Sequence, residues 1–326
     1  MKDFTGKFAV ITGGGTGMGR ELARQLVAEG CNVAMCDVSA ANMAVTRTLC
    51  EADAPQGTRV TTFVADVSDE AAMMAFKAAV AKDQDTDKIH LLFNNAGIGG
   101  GGGFVSGDRE GWDRTFAICW GGVYNGCRAF LPMLMAADEG HIVNTSSVNG
   151  FWASLGPHTS HTAYAAAKFA VKGFTEALIT DLRLNAPHIK CSVVMPGHIG
   201  TEIVANSRKV LTGSDDETLS AGAIAQARTR MAELLTAVGS DGSSVSDDQI
   251  QAFMTEAARR FRDDAPMTAA AAATAILDGV KAERWRILVG DDAVALDGMV
   301  RANPESAYEP EFFAELAAKT GWRVGG

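Results

Sequence analysis

Basic residues are in short supply: 29 Lys and Arg face 39 Asp and Glu, a formal charge of −10 over 326 residues. Neutralising a phosphate backbone needs clustered cations, so nucleic-acid binding is excluded as the main task. No apolar run approaches the ~20 residues of a membrane-spanning helix. Six cysteines lie scattered at 31, 36, 50, 119, 127 and 191, with no Cys-x-x-Cys pair. They read as small buried hydrophobes rather than disulfide partners or zinc ligands. The six histidines form no metal-spaced cluster with Cys, Asp or Glu, so no metal is expected. The opening residues, MKDFTGKFAVITGG, enter a strand and then a glycine turn, which is not the pattern of a signal peptide. With 47% hydrophobic residues the chain can bury one substantial core. A cytoplasmic location is expected.

What is present is an alternation. Short apolar runs at Phe8–Thr12, Asn32–Cys36, Val60–Ala65, Ile89–Phe93, His141–Thr145 and Cys191–Met195 are separated by stretches of helical periodicity. One such stretch is Arg20–Glu29; another carries Phe116, Trp120, Val123, Cys127 and Leu131. This pattern predicts an α/β, Rossmann-like doubly wound parallel sheet with helices on both faces. Each polar or glycine-rich motif follows a strand, at the sheet edge where such folds bind ligands. One stretch, 202–265, breaks the rhythm and reads as a helical insertion. Its helices are expected over Thr218–Val238 and from Ser246, where Ser246 and Gln249 form a capping box. A link at Gly239–Asp247, rich in Ser, Gly and Asp, reads as mobile. Beyond the Ala269–Lys281 helix and the Arg286–Gly290 strand, residues 291–326 form a C-terminal extension with a short helix near Pro310–Lys319.

The first turn reads Thr12-Gly13-Gly14-Gly15-Thr16-Gly17-Met18-Gly19. Glycines let the backbone approach a pyrophosphate, and the following helix N-terminus supplies free N–H groups and partial positive charge. Asp37, ending the second strand, suits the two ribose hydroxyls and repels a 2′-phosphate, which favours NAD over NADP. Only three tyrosines occur, yet one stands a helical turn before a lysine, Tyr164 and Lys168 in AYAAAKFAV. A lysine cation, with a positive nicotinamide ring, would lower the phenol pKa from near 10 and let Tyr164 exchange the alcohol proton. Ser147 could hold the substrate oxygen.

With these pieces the chain resembles the short-chain dehydrogenase/reductase family, over roughly 4–201 and again across 267–290. The shared motifs are TGGGTGMG (12–19), Asp37, Asp66-Val67, NNAG (94–97), NTSSVNG (144–150), YAAAK (164–168) and PGHIGT (196–201). The resemblance implies general acid/base work by Tyr164, nicotinamide-ribose binding by Lys168 and substrate alignment by Ser147. It implies that Asp66, beside Val67, meets the adenine amino group and that Asn95, Ala96 and Gly97 line the adenosine side. Ile199 and Thr201, following Pro196 in the cofactor wall, would contact the carboxamide. A homodimer or homotetramer built on the helices of Cys119 and Tyr164 is likewise implied.

Cys119 stands where the family usually carries a relay asparagine, and a thiol lacks a carboxamide's paired donor and acceptor. The Ser147–Tyr164 segment is longer than the common spacing and places Trp152, His158 and His161 beside the expected substrate; the histidines read as solvated loop residues. Gly99–Gly103 reads as a mobile rim. Residues 202–265 occupy the place of the substrate lid, with Ile203, Met231, Leu234, Leu235, Phe253, Met254 and Phe261 as candidate lining. An apolar alcohol or ketone substrate, steroid-like, aryl or acyl, fits such a pocket. An NADP-linked carbonyl or 3-oxoacyl reductase is the alternative, and a catalytically weak dinucleotide sensor or scaffold a further one.

Overall fold

A computed structural model describes the chain except residues 101, 106, 157–158, 214–223, 225–226, 229–244 and 323–326. Seven parallel strands form one sheet: β1 (Phe8–Thr12), β2 (Asn32–Asp37), β3 (Val60–Val64), β4 (Leu91–Asn94), β5 (Gly140–Thr145), β6 (Ile189–Pro196) and β9 (Arg286–Val289). Their order is β3-β2-β1-β4-β5-β6-β9. The chain winds outward in both directions from the β1/β4 pair, which opens a crevice at the C-terminal ends of those strands. Two short strands, β7 (Ile199–Gly200) and β8 (Met267–Thr268), pair separately beside it.

Alternation along each strand builds two cores. Val10, Ala34, Cys36, Leu92 and Ile142 face one layer, with α3 (Glu70–Asp83), α5 (Gly122–Met135) and α6 (Thr162–Asn185). Ala9, Ile11, Val33, Met35, Leu91, Phe93 and Val143 face the other, with α1 (Gly17–Ala28) and α9 (Ala269–Lys281). Successive side chains point to opposite faces, so strands buried on both sides must be apolar throughout. α2 (Ala40–Asp53) packs on α1 and the β2–β3 edge. All six cysteines are free and buried. Among the described residues no helix is long and apolar enough to cross a membrane.

The periodic stretch through Phe116 and Leu131 is not one regular helix. α4 (Arg109–Phe116) runs into a π-helical turn, Ala117–Gly121, before α5 begins. The insertion region contains α7 (Ile203–Thr212) and α8 (Asp247–Asp263). α8 opens with the expected capping box between Ser246 and Gln249, Asp247 and Asp248 in its first turn and Arg260 and Arg262 in its last. The expected Thr218–Val238 helix and Gly239–Asp247 link fall largely outside the described residues, as do Met231, Leu234 and Leu235.

The extension forms α10 (Asp291–Ala302) and α11 (Pro310–Thr320) and makes a third core. Trp152, Val148, Ala293, Leu296, Ala307, Phe312 and Leu316 are buried there. Trp152 is fully buried, its indole N–H donating to the Ala307 carbonyl at 2.7 Å. It is therefore a core residue and not a substrate neighbour, because α11 supplies an apolar cover that residues 147–164 alone do not reveal.

Candidate active site

The glycine turn is shaped by close backbone approach. Gly13 has φ +68°, and a Cβ there would lie 2.8 Å from the Ala96 Cα. A Cβ on Gly19 would strike the Gly13 carbonyl oxygen. The Thr12 hydroxyl accepts from the N–H groups of Asn95 (3.0 Å) and Ala96 (3.1 Å), and the Asn95 amide donates to the Thr12 carbonyl (3.2 Å). These bonds lace the end of β1 to the end of β4. Helix α1 starts at Thr16 without a side-chain cap bond and without an acid in its first turn, which leaves its N-terminus suited to an anion. Gly15, Gly17 and Met18 complete the cradle, which fits a dinucleotide pyrophosphate.

Asp37 takes one backbone N–H on each oxygen, Gly15 at 3.0 Å and Ser39 at 2.9 Å. That fixes the carboxylate beside the turn, with lone pairs left for hydroxyl donors. Asp66 is more heavily engaged. Ser68 donates through its N–H (2.9 Å) and hydroxyl (2.7 Å), and Arg114 pairs with the other oxygen at 2.5 Å. Burial pushes the Asp66 carboxyl up, but the Ser68 and Arg114 bonds outweigh it and hold it below its ordinary range. Arg114 carried no sequence signal, since its partner lies 48 residues away. Val67 follows Asp66, buried under the Gly122 backbone.

Helix α6 places Tyr164 in its first turn and Lys168 one turn later. The Ser147 hydroxyl faces the Tyr164 phenol and favours its ionised form, and the Lys168 Nζ sits 5.4 Å from the centre of the tyrosine ring. Lys168 donates to the Thr145 carbonyl at 2.8 Å. Gly97 lies against Lys168 Nζ and the Cys119 thiol. Burial pushes the Tyr164 phenol above its ordinary range, the neighbouring Cys119 adds to this and the Ser147 hydroxyl opposes it. Burial likewise pushes the Lys168 ammonium down. Burial thus outweighs the Ser147 contribution, and the protein's own groups do not depress the phenol as the Tyr-x-x-x-Lys spacing suggested.

Cys119 is fully buried in the π turn, its thiol donating to the Ile98 carbonyl at 3.2 Å. A polar chain that sequence reasoning missed lies beneath the site. Asn94 donates to Asn144 (2.8 Å), Asn144 to Thr175 (2.9 Å) and Thr175 to the Val171 carbonyl (2.7 Å). It ties β4, β5 and α6 together.

Other expectations change. His161 is not a merely solvated loop residue: its ring lies 4.6 Å from that of Tyr164. His158 is outside the described residues. Two described glycines of the 99–103 rim are hydrogen-bonded to neighbouring elements. Gly99 donates to Ser207 at 2.8 Å and Gly102 accepts from the Thr162 N–H at 3.1 Å. Helix α7 also reaches the glycine turn, where Asn206 donates to Thr16 at 2.9 Å. Among the expected lid residues, Phe253 is exposed, while Ile203, Met254 and Phe261 are half-buried and Phe261 packs against His198. After Pro196, the buried Ile199 lies in β7, and Thr201 packs beside Gly17.

Residues 7–211 match the family model described as short chain dehydrogenase. SadH of Mycobacterium tuberculosis, which bears the name of an oxidoreductase, is 38% identical over 218 residues, covering 67% of this chain and 75% of SadH. Levodione reductase of Leifsonia aquatica is 35% identical over 209 residues, 64% of this chain and 75% of its own. A Burkholderia phymatum short-chain dehydrogenase/reductase solved in complex with NAD matches with a TM-score of 0.73 at 29% identity, covering 95% of this chain and 98% of that one. A metagenomic short-chain oxidoreductase in complex with NADP matches at 0.52 and 30% identity, covering 60% and 83%.

Proposed function

The chain belongs to the short-chain dehydrogenase family and is an NAD(P)-dependent oxidoreductase acting on CH–OH groups; on that premise we propose that it interconverts a bulky, apolar secondary alcohol and its ketone using NAD. The observation that carries the reading is the placement of Tyr164 with Lys168 one turn below it and the Ser147 hydroxyl facing the phenol, set beside the glycine turn. The bound nicotinamide supplies the hydride acceptor or donor. Ser147 holds the substrate oxygen, and Tyr164 takes the alcohol proton during oxidation or returns it during reduction. Lys168, braced by the Thr145 carbonyl, puts its positive charge beside the phenol, where it favours the tyrosinate. Asp37 selects the free ribose and turns away a 2′-phosphate. A relative named for reducing levodione supports a carbonyl substrate.

In this reading residues 1–326 form one Rossmann unit, 202–265 its lid and 291–326 its extension. The working form is a homodimer or homotetramer in the cytoplasm. An NADP-linked reductase is the second reading, supported by the NADP-bound neighbour, and the ratio of NADH to NADPH affinity separates the two.

The test is an NAD-coupled screen of hydrophobic secondary alcohols with Tyr164→Phe run alongside. Loss of the proton-transfer group lowers kcat by roughly 10²–10⁴-fold, while NADH affinity stays within a few-fold. Turnover that survives in Tyr164→Phe would show that another group carries the proton.

A further inference from the structure

The loop Gly197–Thr201, which the reading above assigns to the carboxamide end of the cofactor, is gripped from two sides by residues with no role in that reading. On one side stands the extension. Asp292, in the first turn of α10, accepts from the His198 N–H at 2.7 Å with one oxygen and from the Ala293 N–H at 2.9 Å with the other. The residue is only 6% exposed, and among the described residues no cation pairs with it. Its charge is met by backbone N–H groups and the start of a helix, an arrangement that fixes geometry. The carboxylate fits because Gly197 and Gly290 lack side chains: a Cβ on either would meet it. The Gly197 N–H adds a bond to the Val289 carbonyl at 2.9 Å.

On the other side stands the C-terminus of α8. The last carbonyls of a helix have no intrahelical donor, and Phe261 belongs to that last turn. His198 Nε2 lies 2.7 Å from the Phe261 carbonyl oxygen, so this nitrogen carries the proton and donates. The imidazole packs at a tilt against the Phe261 ring, with centroids 4.4 Å apart. Next to it, the Arg262 carbonyl packs so close to Gly200 that a Cβ there would collide. One residue later the loop closes on Gly17, through the Thr201 methyl.

We propose that Asp292 and His198 are positioning residues that couple the insertion helix α8 to the cofactor: Asp292 fixes the loop backbone, and the His198 side chain caps α8 onto it. The inference rests on the reading that this loop faces the nicotinamide. Binding energy is then shared between the two ends of the loop, so a ligand that stabilises the loop steadies α8, and a docked α8 tightens the ligand by the same factor.

The experiment uses the full chain, with NADH titrated by its fluorescence and hydrogen exchange followed in peptides covering 250–263. In the wild type, NADH slows exchange at the C-terminal turns of α8 by about tenfold. His198→Phe keeps the ring contact but loses the donor: protection by saturating NADH disappears and NADH affinity falls several-fold. His198→Gln, with an amide N–H at similar reach, restores both. Asp292→Ala weakens NADH about tenfold, and Asp292→Asn, which keeps one acceptor for the His198 N–H, loses less. If Asp292→Ala does not fold, Asp292→Asn and the two His198 variants carry the test. NADH-dependent protection that survives in His198→Phe would overturn the proposal, as would wild-type NADH affinity in a folded Asp292→Ala. A wild-type chain that binds no NADH overturns the cofactor reading and this inference together. Turnover scores neither arm, so an error in the choice of substrate leaves the result intact.

Discussion

Cys119 sets the sharpest question at the scale of a residue. Its thiol donates to the Ile98 carbonyl within reach of Gly97 and the lysine Nζ, in a fully buried site. A carboxamide there could make the same donation and still offer an acceptor. Cys119→Asn should therefore leave kcat equal or higher, read in the NAD-coupled assay at saturating substrate. A large loss would mean that the thiol has a task of its own. Residue types that announce chemistry were legible in the sequence, because Tyr164, Lys168, Ser147 and Asp37 sit in local patterns. Arg114, Asn206, Asp292 and the Asn94–Asn144–Thr175 chain were not. Each acts on a partner far along the chain, and no local spacing marks such a pair.

Elements were easier to read than their joints. Parallel strands covered on both faces must be apolar throughout, so the strand runs stood out, and their polar ends marked the ligand edge. The π turn at Ala117–Gly121 escaped because one widened turn shifts the helical phase by a single residue, which leaves the apolar spacing almost unchanged. Trp152 escaped because its cover lies 155 residues away. It packs against Phe312, Phe313 and Trp322 and sits in the segment that also holds Ser147. Trp152→Ala should cost about 3–5 kcal/mol in a denaturant titration, whereas Trp152→Phe should cost less. A loss under about 1 kcal/mol would show that this third core is not tightly coupled to the sheet.

For the molecule as a whole, acid should be the weak side. His141 is buried on strand β5 of the sheet, its Nε2 2.7 Å from the Ser192 hydroxyl, which itself donates to the Arg284 carbonyl at 2.6 Å. The ring therefore donates from Nε2 and is neutral at Nδ1. Burial first, and then the N-terminal ammonium, push its pKa down to about 4. His90 moves in the same direction, again chiefly through burial. The unfolded chain takes up a proton near pH 6.5 that the folded chain refuses, so stability is intact above that value and falls as the pH drops toward 4. The His141 share of the loss is roughly 3 kcal/mol. Urea titrations from pH 7.5 to 4.5 should show it, with a shallower fall in His141→Gln. Equal slopes in the two proteins would refute the assignment.

The third core also bears on time. Ser147 lies on a turn whose neighbour Trp152 has no apolar cover until Ala307, Phe312 and Leu316 arrive. During synthesis the first six strands of the sheet and the glycine cradle can assemble while those residues are still inside the ribosome, since strands β1 to β6 end at Pro196. The substrate side cannot. A nascent chain thus builds its glycine turn early and the cover over the Ser147 segment last, so a chain halted before α11 would leave Trp152 bare in that segment.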